Sequence, residues 1–162
     1  MVDEPDVPEV RPPTVDDVRR ICQALDEAGA RYVLIGGFAV ILHGGERTTK
    51  DIDLLVDPDP ENVERLKRAL SVLEDNAASD IDPGDLRKYR VVRVADEVMV
   101  DLLSAACDVT WPEASAGALR VDLDGTPIVV ADVGTLIRTK QTVRPSDAAD
   151  RAWLEALRGE DP

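Results

Sequence analysis

Residues 32–56 read YVLIGGFAVILHGGERTTKDIDLLV, and the fold is decided within them. Tyr32–Ile35 is a short apolar run with no alternation, which predicts a strand buried on both faces. Gly36-Gly37 breaks the run, and Phe38–Leu42 follows as a short apolar helix ending near His43-Gly44-Gly45. The polar segment Gly44–Lys50 then leads into a second apolar run, Ile52–Val56, which carries Asp51 and Asp53 at its start. Aspartate is depleted in strands and costly to bury unpaired. Residues two apart on a strand project to the same face, about 7 Å apart. Asp51 and Asp53 therefore point together, with Ile52 and Leu54 turned the other way into the core. The bland alternative is a pair of acids capping the turn after Lys50, but Leu54-Leu55-Val56 continues the strand.

Further along, Val91–Val94 and Val98–Leu103 read as two strands joined at Ala95-Asp96-Glu97. Alternation puts Val98, Val100 and Leu102 on one face and Met99, Asp101 and Leu103 on the other. Asp101 is a third acid set in an apolar strand. If that strand neighbours Ile52–Val56, three carboxylates share one patch, and three anions at close range resist ionising together. A divalent cation supplies the missing charge, and oxygen-only ligands favour Mg²⁺ or Mn²⁺. The competing reading pairs Asp101 with Arg90 or Arg93 as a salt bridge. Gly36-Gly37 sits where a strand meets a helix start. The missing Cβ there allows close backbone approach, and helix N–H groups can face a phosphate. These parts describe a phosphoryl-type transfer site in which paired metal ions about 4 Å apart hold a triphosphate. Asp51 and Asp53 would hold metal and nucleotide, and Asp101 would hold the metal nearer the acceptor and help remove its proton.

The rest of the chain fits one domain around this centre. Met1–Pro13 is acidic and Pro-rich and is expected to be a disordered lead-in to a single domain over residues 14–158. Thr14 is placed to cap a helix bearing Val15, Val18, Ile21, Cys22 and Leu25 at helical spacing. Pro60 opens a helix with Val63, Leu66, Leu70 and Leu73 on its apolar side. Asn76–Gly84 reads as a polar loop, and Ala105–Gly117 as irregular or weakly helical. Leu119–Leu123 and Pro127–Val130 flank Asp124-Gly125 as a hairpin. Asp132 caps a helix running to about Val143, and Pro145-Ser146 starts the last one. The architecture expected is α/β, or α+β: a small mixed sheet, helices mainly on one face, and the site at a sheet edge.

Composition narrows the classes. The chain has 162 residues, a hydrophobic content of 44% and a formal net charge of −14, enough apolar material for a core and too much acid for tight non-specific nucleic-acid binding. Aromatic residues total 3%, which disfavours a base-stacking single-strand binder. No apolar run is long enough to span a membrane, and the acidic start does not resemble a signal peptide, so a cytoplasmic protein is expected. Cys22 and Cys107 fit no zinc spacing and read as small buried apolar residues.

Gly36-Gly37, Asp51-Ile52-Asp53 and the later Asp101 together resemble the polymerase-β-like nucleotidyltransferase superfamily. The similarity is greatest to its small bacterial members, including AbiEii-type toxins of toxin–antitoxin systems. It is carried by GGFAVILHG, RTTKDIDLLV, VMVDLL and LIRTKQTVRPSDAADRAWLEAL, and spans Tyr32–Leu157. The resemblance implies the nucleotidyltransferase fold and transfer of a nucleoside monophosphate from an NTP to an acceptor hydroxyl. The acceptor is left open between a small molecule, a partner protein and a tRNA end, and a cognate toxin or antitoxin is implied as partner. Arg47 and Thr49, beside the DxD strand, are implied nucleotide contacts. Lys140 is expected near the phosphates, with Arg144 alongside it or paired to Asp147. Where relatives often carry Lys before that Asp, this chain has Ser146. A second reading keeps the fold but makes the domain a catalytically weak interaction module or antitoxin.

Overall fold

A computed structural model describes residues 10–160. Of the expected lead-in, residues 1–9 lie outside the described residues. The stretch that follows is fastened to the domain: the Arg11 N–H donates to the Glu97 carbonyl at 3.1 Å, and its guanidinium grips Asp17 at 2.7 Å.

Among the described residues, eight strands and seven α-helices follow in the order α1 (Val15–Glu27), β1 (Tyr32–Ile35), α2 (Gly36–Leu42), β2 (Asp51–Val56), α3 (Pro60–Leu70), α4 (Asp85–Lys88), β3 (Val91–Ala95), β4 (Met99–Leu103), β5 (Ala105–Ala106), β6 (Val109–Thr110), α5 (Trp111–Ala116), β7 (Leu119–Leu123), β8 (Thr126–Val130), α6 (Val133–Thr139) and α7 (Pro145–Glu160). Six strands form one mixed sheet, ordered β3-β4-β2-β1-β8-β7. β1 runs antiparallel to β2, whereas β2 and β4 are parallel and joined by the long crossover through α3.

Local chemistry sets the helix ends. Thr14 and Asp17 form a reciprocal capping box at the start of α1, each side chain accepting from the other's backbone N–H. Asp59 caps α3 through the Glu61 N–H at 3.0 Å, with Pro60 in its first turn. Asp132 caps α6 through the Thr135 N–H at 2.7 Å. That helix stops at Thr139, short of the expected Val143. The reason is tertiary: the Arg151 guanidinium draws off the Lys140 and Thr142 carbonyls that a longer helix would use.

Burial follows strand alternation. Leu34, Ile52, Leu54, Val100, Leu102, Ile128 and Val130 are all fully buried. They share the face that carries Tyr32, which reaches Cys22 of α1. Fully burying each such side chain contributes about 1.5–3 kcal/mol. α1 packs on β8 and on α3 over this side. On the opposite face, α5 and α2 lie against β1, while Asp51 and Asp53 of β2 stay half-buried and Asp101 of β4 is buried beside them.

The Asn76–Gly84 segment contains a 3-10 turn at Ala77–Asp80. The fully buried Asp96 pins it, accepting from Asp75 N–H at 2.9 Å and Ala77 N–H at 2.8 Å. Residues 105–117, read as irregular or weakly helical, fold into the two-stranded β5–β6 ribbon, which was not foreseen, and the short helix α5. Cys107 makes the turn of that ribbon at φ +50° and is half-buried, so only Cys22 is the buried cysteine expected. Among the described residues no helix is long and apolar enough to cross a membrane.

Candidate active site

Parallel pairing of β2 with β4 places Asp53 directly beside Asp101, with Asp51 opposite Met99. Asp51, Asp53 and Asp101 each offer one carboxylate oxygen, and these atoms all lie within 4.8 Å of one another. The acids sit on interior strands and not on the sheet edge itself: Asp101 is in mid-β4, one strand in from the edge strand β3, and Asp51 and Asp53 are at the start of β2, two strands in. They open onto a cleft of about 650 Å³, which is also lined by Gly36, Gly37, Arg47, Thr49, Lys140 and Arg144. Thus all the candidate metal and nucleotide ligands named from the sequence line one cleft.

The cluster is short of positive charge. Burial, then the neighbouring Asp101 and Asp51 charges, push the Asp53 carboxyl up to about 7, although Lys140 and Arg144 pull the other way. The Asp101 carboxylate is forked by Arg93, at 2.8 Å from Nε and 3.0 Å from a terminal nitrogen. Of the two arginines considered for Asp101, Arg93 is therefore the partner, while Arg90 donates to the Cys107 carbonyl at 2.7 Å. Converging carboxylates with only hard oxygen donors fit a divalent ion such as Mg²⁺ or Mn²⁺.

The two glycines make room for the acids and for the loop before β2. Gly36 has φ +73°, and a Cβ on it would lie 2.2 Å from an Asp53 carboxylate oxygen. A Cβ on Gly37 would meet Thr49 at 2.7 Å and the Arg47 guanidinium carbon at 3.1 Å. Thr49 in turn donates to the Asp51 carbonyl at 3.2 Å. Ile35 supplies no side-chain cap to α2, so no capping side chain takes the N–H groups of its first turn.

The cationic wall comes from further away. Lys140 is buried, and its Nζ donates to Asp150 at 2.8 Å and lies 3.8 Å from Asp147. Asp150 also pairs with Arg47. Arg144 pairs with Asp147 at 3.1 Å and lines the cleft with Lys140 as well, so the two placements expected for it occur together. Burial pushes the Asp147 carboxyl up, but hydrogen bonds from Thr142 and Arg144, with the Arg144 and Lys140 charges, outweigh it and hold it low. His43 is engaged elsewhere: its ring reaches the Ala131 carbonyl at 2.8 Å and ties the end of α2 to the start of α6.

Comparison with known proteins gives a family and a fold. The family model described as the nucleotidyl transferase AbiEii toxin of type IV toxin–antitoxin systems matches residues 20–144. The chain belongs to the AbiEii nucleotidyltransferase toxin family. No curated protein matches its sequence. A Thermotoga maritima crystal structure assigned as a nucleotidyltransferase superposes with a TM-score of 0.55 at 15% identity, covering 88% of this chain and 92% of that one. At that identity the likeness speaks for the fold, which is the nucleotidyltransferase fold.

In this AbiEii-family transferase two participants escaped the sequence reading. Asp150 joins Arg47 to Lys140, and the signal for it was an acid three residues after Asp147 on the same helical face, ahead of the buried Leu154. Arg151, the other, holds the turn after Lys140 through backbone carbonyls and has no local signature. One substitution probes the packing of the acids. Gly36→Ala is expected to push Asp53 aside, costing the protein about 1–2 kcal/mol at a left-handed position. It should also lower transferase activity by about 100-fold, the loss that a misplacement of about 1 Å in a reacting geometry brings. A thermal melt together with a turnover assay checks it, and normal activity in the Gly36→Ala variant would show that Asp53 has slack.

Proposed function

We propose that this protein transfers a nucleoside monophosphate from an NTP to an acceptor hydroxyl in a reaction that depends on Mg²⁺ or Mn²⁺. What carries the reading is the meeting of Asp51, Asp53 and Asp101 within 4.8 Å, beside Gly36-Gly37 in the cleft that Arg47, Lys140 and Arg144 also line. A divalent ion bound by these acids would supply charge neutralisation for the triphosphate and Lewis-acid polarisation of a phosphoryl oxygen. Asp51 and Asp53 would hold such an ion together with the nucleotide. Asp101 faces the acceptor side and helps take the proton from its hydroxyl. The acceptor oxygen forms a bond to the α-phosphorus, the bond from that phosphorus to the bridging oxygen breaks, and pyrophosphate leaves. Arg47, Thr49, Lys140, Arg144 and the Gly36–Gly37 backbone orient the phosphate tail, so catalysis rests on positioning and charge. The type IV family description supports a toxin acting in the cytoplasm and held in check by a cognate antitoxin. A tRNA end is one acceptor class and a partner protein another. A catalytically silent module would have no need of three converging carboxylates.

The test uses each of the four NTPs, labelled in turn at the α- and γ-phosphate, with a tRNA pool or cell proteins as acceptor. Label from the α-position is expected to move with Mg²⁺ or Mn²⁺ present and to stay put in EDTA. Transfer of γ-label would instead make the protein a kinase, and transfer of neither label would leave the fold without this chemistry.

A further inference from the structure

Arg93 stands on edge strand β3, directly across from Asp101. It donates to both oxygens of that carboxylate, and one of its terminal nitrogens also lies 3.5 Å from Asp51. One guanidinium thus bridges two of the three carboxylates through which an ion would be held. Its position is built in, because cross-strand register places it there and the hairpin turn is locked by buried Asp96. Its outer side is free: the Arg93 side chain remains 56% exposed at the cleft.

We propose that Arg93 is a resident counter-cation of the carboxylate cluster, which weakens binding of a divalent ion until a nucleotide arrives. The inference rests on the metal-dependent reading above and deepens it. With all three acids ionised, one arginine leaves the cluster with two net negative charges, an amount a single divalent ion cancels. A fixed positive charge a few ångströms from the ligand oxygens repels an incoming ion, and in a half-buried site that repulsion is screened less than in water. An Asp101 carboxylate that already accepts two charge-assisted hydrogen bonds is also a poorer ligand. A guanidinium fork matches phosphate as well as carboxylate. A polyphosphate tail in the cleft therefore gives Arg93 a second partner on its exposed side, freeing Asp101 as the nucleotide brings its own charge for the ion to neutralise. Ion and nucleotide then bind cooperatively.

Mn²⁺ titration of the full chain, followed by the free-ion electron paramagnetic resonance signal, tests this with and without a non-hydrolysable NTP. Arg93→Gln is expected to bind Mn²⁺ alone about tenfold or more tightly than the unaltered protein, and to gain less from nucleotide. Arg93→Lys keeps the charge but loses the fork, so it should tighten Mn²⁺ binding less than Arg93→Gln does. Circular dichroism confirms that both variants are folded. If Arg93→Gln binds the ion no better, or worse, Arg93 is only a strut for Asp101 and the inference is overturned. The metal reading has its own marker, Mn²⁺ binding with nucleotide that Asp53→Asn abolishes. If no protein in the set binds Mn²⁺ under any condition, that reading falls and takes this inference with it.

Discussion

Asp53→Asn is expected to abolish nucleotidyl transfer and, at the same time, to make the ion-free protein more stable at neutral pH. The first effect follows from its place between Asp51 and Asp101: an amide cannot supply the charge that holds a divalent ion. Losses on the order of 10³-fold accompany removal of such electrostatic groups. The second follows from crowding. Burial and two neighbouring acids raise the Asp53 carboxyl to about 7, well above its value in an unfolded chain. Between about pH 4 and pH 7 the folded protein therefore holds a proton that the unfolded chain has released, so stability falls as pH rises through that window. Below it both states are protonated and the site carries no penalty; above it the penalty is complete. Asparagine copies the shape of the neutral acid and removes the penalty, worth on the order of 2–4 kcal/mol at pH 8 and nearly nothing at pH 4. Urea melts in EDTA at both pH values, run beside the label-transfer assay, measure the two effects. A variant that gains no stability at pH 8 would mean that the three carboxylates are not held close together.

The second large effect is expected at Lys140. Its ammonium is buried against Asp150 and close to Asp147, and breaking a buried ion pair from one side costs about 3–5 kcal/mol. Lys140→Met should fall at the low end, because Arg47 still holds Asp150 and Arg144 still holds Asp147. For a chain of this length, about 3 kcal/mol lowers the melting temperature by about 6–12 °C. Adding Asp150→Asn should restore part of the loss, since the worst of it is a carboxylate left with too little positive charge. Differential scanning calorimetry of the single and double variants reads both numbers. A melting temperature unchanged by Lys140→Met would make the lysine a surface group after all.

Much of this site was legible before any coordinates. Tyr32–Val56 announces strand, glycine break, helix and strand, and two acids in an apolar run demand a reason wherever they occur. Asp101 declared itself the same way. What the residues alone left open was pairing: only the crossover through α3, which makes β2 and β4 parallel neighbours, puts Asp53 beside Asp101. The cationic wall was harder, because Arg47 and Asp150 meet across 103 positions of sequence and no periodicity links them. Lys140 looked like one more helical lysine, and its burial depends on α7 docking over it. The early end of α6 has the same origin, since an arginine from another helix takes its last carbonyls. Short-range chemistry was readable in the chain; what escaped depends on two distant segments coming to rest against each other.

The family match ends at residue 144, just where α7 begins. The carboxylates belong to β2 and β4, whereas the grip on Arg47, Lys140 and Arg144 belongs to α7 through Asp150 and Asp147. The carboxylate cluster and the ion pairs behind the cationic wall thus belong to separate pieces of the molecule. A change in that terminal helix would therefore reach the cationic side chains first and leave the three acids on their strands.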